Sequence, residues 1–97
     1  MSGAKRVFRG SFTGTGAQKD VTIVGFRPTW VHLMLVNGNE GQWAETMADA
    51  AAFKRLAAGT ASFVSTGGVT PLAGGFRLGT DAHLNVSGVV THYEVGD

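Results

Sequence analysis

The residues of this chain best able to do chemistry cluster near its carboxyl end, where His83 and His92 lie close to Asp81 and Glu94. Two imidazoles and a carboxylate make a donor set that zinc accepts. They also make a pH-sensitive patch, because two neighbouring imidazoles repel once both are protonated. The plain alternative is a solvated polar face, the state of most exposed histidines. His32 sits among apolar neighbours and reads as a satisfied core or interface residue.

Other constellations are weaker. Gly14-Thr-Gly-Ala-Gln-Lys19 has the glycines of a phosphate-cradling loop, but it lacks the P-loop spacing and the hydroxyl residue after the lysine. It reads as a hairpin loop. Serine and histidine both occur, yet no Gly-x-Ser-x-Gly elbow holds a nucleophile, and no pair of acids suggests an acid/base couple. Of the two tryptophans, Trp30 borders an apolar run and is expected in the core. Trp43 follows Gly41-Gln42 and is expected to contact a partner, since an aromatic ring brings a large apolar area at low entropic cost. Lys5, Arg6 and Arg9 precede the first acid, Asp20, and give a locally basic start that can order on an acidic surface.

The elements that must position these residues are mostly strands. Arg6 to Phe12 places Phe8 and Phe12 on one side with Gly10 between them, the period of two of a half-buried strand. Val21 to Phe26 and Trp30 to Val36 carry apolar residues on both faces and read as interior strands, separated at Pro28. Asn37-Gly38-Asn39 closes the second with residues that tolerate left-handed backbone. Residues 43–58 are ambiguous. Their alanines favour a short helix, while Trp43 to Met47 and Phe53 to Leu56 read equally as strands joined around Asp49. Ala61 to Thr66 and Phe76 to Leu78 are strands flanking a Gly-Gly-Val-Thr-Pro loop. A Ser87-Gly88 hairpin would then pair Leu84 with Thr91 and Ala82 with Tyr93, turning His83 and His92 outward together.

Composition bounds the rest. The chain has 97 residues, 43% of them hydrophobic and 15% charged, which suits one folded domain over 1–97, with 1–5 as a flexible amino-terminal arm. Fifteen glycines imply many tight turns between short strands. The net charge of +1 gives no strong field, so nucleic acid is not the expected partner. No segment is long and apolar enough for a membrane helix, and a chain without cysteine has no disulfide framework or thiolate metal site.

The order of these pieces resembles a known group. Val21-Thr-Ile-Val-Gly-Phe-Arg-Pro-Thr-Trp-Val, then Gly75-Phe-Arg-Leu-Gly-Thr-Asp-Ala-His-Leu-Asn-Val-Ser-Gly88 and His92-Tyr93, is similar to small β-sandwich virion proteins of tailed bacteriophages, the capsid decoration (cement) proteins and knob domains of fibres and spikes. The resemblance implies an all-β, antiparallel sandwich or jelly-roll-like fold and a structural protein rather than an enzyme. It implies a protein made in the bacterial cytoplasm and carried on the capsid surface, where a homotrimer or other homo-oligomer clamps major capsid subunits. A receptor- or glycan-binding tail component is the alternative. No cofactor, metal, nucleic acid or membrane is expected, and the candidate partner contacts are Lys5, Arg6, Arg9, Trp43, His83 and His92.

Overall fold

The computed structural model describes residues 6–97, so Lys5 and the arm 1–5 lie outside the described residues. The chain is all-β. Its strands are β1 (Val7–Thr13), β2 (Lys19–Val21), β3 (Trp30–Leu35), β4 (Glu40–Ala44), β5 (Ala51–Arg55), β6 (Ala61–Leu72), β7 (Gly75–Leu78) and β8 (Val90–Gly96). All pair antiparallel in one sheet of order β1-β8-β3-β4-β5-β6-β7-β2. The sheet curls until its two halves face each other: the Tyr93 ring of β8 meets Phe76 of β7 edge-on, with centroids 5.3 Å apart.

The period-two pattern decides what faces inward. In β3, Val31, Leu33 and Leu35 are buried, while Trp30, His32 and Met34 take the outer side. The inner side also receives Phe76, Leu78, Val69, Val95 and Tyr93. Tyr93 lies flat across β1, and a Cβ at Gly10 would stand 2.5 Å from its hydroxyl oxygen, so only glycine allows the ring to reach this far. Phe8 and Phe12 flank the ring at 6.2 and 6.0 Å.

Four expectations are corrected. Residues 43–58 hold no helix; β4 and β5 are joined by tight turns, with Met47 N–H donating to Ala44 O and Ala51 N–H to Ala48 O. The alternative of two short strands around Asp49 is the one adopted, and Ala50 enters the left-handed region at φ 67° to complete the connection. Strand β2 ends at Val21, after which Val24 and Phe26 are buried from irregular backbone. The Gly-Gly-Val-Thr-Pro segment is no loop but the carboxyl-terminal half of β6. A register shift beside Ala51 and Ala52 lets β6 bulge and pair first with β5 and then with β7.

The fourth correction concerns the carboxyl end. Residues 81–89 form turns, and β8 pairs with β1 and β3 instead of folding back on them. Asp81 causes this: its carboxylate accepts the N–H groups of His83 and Leu84, and its carbonyl those of Leu84 and Asn85. The turn drives Leu84, fully buried, into the end of the curl against Gly41. Asn85 follows, 2% exposed. Its Oδ1 accepts from Thr15 N–H and Gly16 N–H, both at 3.1 Å, and its Nδ2 donates to Ala17 O at 2.6 Å and Gly79 O at 2.9 Å.

Candidate functional site: an outer apolar groove

The β4–β5 ladder covers only Glu40 to Gln42 against Arg55 to Phe53. Beyond it the two strands part, and the gap opens on the outer face as a groove of about 610 Å³. Trp30, Ala44, Met47, Phe53 and Phe63 form its apolar walls, with His32 and Gln42 as polar members. Register explains the grouping, because Trp30 faces Ala44, His32 faces Gln42, Gln42 faces Phe53, and Phe53 faces Phe63 across adjacent strands.

The walls are anchored from below. Trp43, 3% exposed, lies under the gap, and its indole N–H donates to Ala48 O at 3.0 Å. Trp30 rests on the terminal strand, where a Cβ at Gly96 would come 2.4 Å from the indole. Phe53 and Phe63 pack at 5.0 Å, yet Phe63 is 73% exposed. A phenyl ring left so open costs hydration free energy, and contiguous exposed apolar surface marks contact sites. The Nε2 of His32 is buried without a hydrogen-bond partner among the described residues, with the nearest Glu40 carboxylate oxygen 4.0 Å away.

Of the sequence-predicted contacts among the described residues, only Trp43 lines this groove, from its buried floor, while Trp30, expected in the core, is half-buried in its wall. Arg6 and Arg9 belong to the folded sheet rather than to an arm. Arg6 is bound by the Asp97 carboxylate and lies over the Phe26 ring, and Arg9 pairs with Glu94 at 2.5 Å. Each positive charge therefore has an internal counterion.

His83 and His92 are not brought together. His92 is exposed on β8 between Ser11 and Met34, whereas His83 sits in the 81–84 turn. There Lys54 Nζ donates to both Asp81 oxygens, at 2.9 and 3.2 Å, and to His83 Nδ1 at 2.8 Å. The Lys54–Asp81 pair is almost fully covered and closes one end of the curl. Among the described residues no group of three or more His, Asp or Glu is arranged to hold a metal ion.

The groove residues Trp30, Phe53 and Phe63 were missed as a group, although β3 carried a signal. His32 marks the solvent phase of the strand, and Trp30 shares that phase. Comparison with protein-family models, with curated proteins and with solved structures finds no match to this chain.

Proposed function

We propose that this is a non-enzymatic assembly protein of a tailed-phage virion, a capsid decoration protein that bridges major capsid subunits on the outer shell. The observation that carries the reading is the outward Phe53–Phe63 pair beside Trp30, an apolar groove on the outer face of the sheet. Buried aromatic anchors dominate protein interfaces, and a groove lined by Trp30, Trp43, Phe53 and Phe63 offers a neighbour such a pocket. The sequence resemblance supplies the virion as the setting. On this reading the groove receives an apolar side chain of the capsid subunit, and His32 and Gln42 supply polar contacts within it.

The test is binding to expanded capsids. The protein should bind in saturable, symmetry-matched copy number and raise the melting temperature of the shell. Phe63→Glu, at a site open enough to leave the fold intact, should weaken binding by roughly thirtyfold or more, the effect of losing a hot-spot side chain. Capsids that neither bind the protein nor gain heat resistance refute the proposal, as does full binding by Phe63→Glu. A second reading, a glycan- or receptor-binding tail component, draws on the same open rings, because sugar faces stack on indole and phenyl groups. It requires binding on a glycan array or to host cells that Trp30→Ala abolishes.

A further inference from the structure

The curl does not close. Strands β1 and β2 are the two edges of the sheet, and a slot of about 210 Å³ lies between them, lined by Ser11, Phe12, residues 19–23 and Tyr93. Edge β2 is blunted by its length of three residues and tied back by Arg77, whose guanidinium also holds the Asp20 carboxyl below the usual carboxylate range. Among the described residues edge β1 has no such protection. It runs seven residues with unbroken register against β8, without proline or bulge.

The free groups of β1 can be identified. Asp97 N–H donates to Arg6 O and Gly14 N–H donates to Val89 O, so residues 6, 8, 10, 12 and 14 turn their backbone groups toward β8. The N–H and C=O of Val7, Arg9, Ser11 and Thr13 therefore point away from the sheet. We propose that β1 pairs antiparallel with β1 of a second copy, about a two-fold axis through Gly10, joining two curled sheets into one.

The register follows from the side chains. With the axis at Gly10, Val7 faces Thr13 and Arg9 faces Ser11 of the second copy, and every outward backbone group finds a partner. An axis at Arg9 would oppose two guanidinium groups; an axis at Ser11 would leave Val7 unpaired. On the inner side Phe8 meets Phe12 of the second copy, extending the aromatic row around Tyr93. The pair meets at Gly10 without side chains, where each Tyr93 ring crosses its own strand. The slot opens beside this edge, with Ile23, 74% exposed, among its lining residues. The result is a two-fold dimer rather than a trimer, and it is independent of what the groove binds.

Sedimentation equilibrium of the full chain and its variants tests this. The wild-type chain should show a monomer–dimer equilibrium. Ser11→Glu, which sets a carboxylate opposite Arg9 twice per dimer, should tighten it by roughly two- to thirtyfold, and Ser11→Arg should weaken it comparably. Because the chain has no cysteine, Arg9→Cys and Ser11→Cys supply a second measurement: on oxidation each should cross-link with the other and not with itself. Phe63→Glu should leave the dimer unchanged. A trimer, a monomer at about 1 mM chain, charge variants that do not separate, or cysteine variants that each cross-link with themselves overturn the proposal.

Discussion

Replacing Asn85 by alanine should be among the most damaging polar substitutions in this protein. The side chain is buried and fully used, accepting two backbone N–H groups and donating to two carbonyls, and it binds the β1–β2 loop to the chain after β7. Each such bond contributes about 1 kcal/mol net. Thr15, Gly16 and Ala17 are exposed enough for water to replace part of what they lose. The expected loss is therefore about 2–4 kcal/mol rather than the larger penalty of four stranded buried groups. For a domain of this size that lowers Tm by roughly 10–25 °C, and in urea the midpoint should fall while the slope holds. Asn85→Asp separates geometry from volume. It keeps the shape but turns an oxygen toward Ala17 O and Gly79 O, losing both donated bonds, about 2 kcal/mol at neutral pH. Thermal and urea melts of the three proteins measure both effects. An alanine variant within about 0.5 kcal/mol of the parent, or an aspartate variant as stable as the parent at neutral pH, would refute the reasoning.

Gly10→Ala should cost about 1–3 kcal/mol in urea melts by driving a methyl group into the Tyr93 ring, and the cost should shrink when Tyr93 is shortened to leucine. Burial raises the Tyr93 phenol above its ordinary value of 10.0. The folded state therefore holds this proton longer than the unfolded chain does. Stability from Tyr93 should be complete below pH 10 and lost as pH climbs through the higher folded value, so melts above pH 10 should decline more steeply for the parent than for Tyr93→Phe. Ala50→Gly should stabilise by about 1 kcal/mol, seen as a higher urea midpoint, because it relieves a left-handed alanine.

Two strands were legible. Phe8 and Phe12 around Gly10 gave β1 by alternation, and the apolar run from Trp30 closed by Asn37-Gly38-Asn39 gave β3 and its turn, although β3 alternates where the run was read as apolar on both faces. Alanine-rich 43–58 was not legible, since helix propensity is a weak prior that cross-strand pairing of Gln42 with Phe53 overrides. The false hairpin has a particular cause. Residues 82–86 alternate like a strand, but Asp81 before them and Asn85 among them carry side chains that satisfy backbone groups locally and across the loops. The groove was hidden for a related reason. It arises where two strands part, and composition carries no record of that parting.

The place of β8 has a consequence for how the domain is made. It lies inside the sheet between β1 and β3, so the strand nearest the amino end and one of its interior strands are joined only through residues 90–96. A nascent chain that stops short of Val90 has β1 with no partner and β3 bonded on one side. Folding must therefore wait until almost the whole domain has left the ribosome, and its rate is set by closing contacts between residues such as Phe8 and Val95 that stand far apart in sequence. Until then the inner face that buries Leu33 and Val31 is incomplete, which makes the interval between synthesis and closure the period when this chain most needs protection from aggregation.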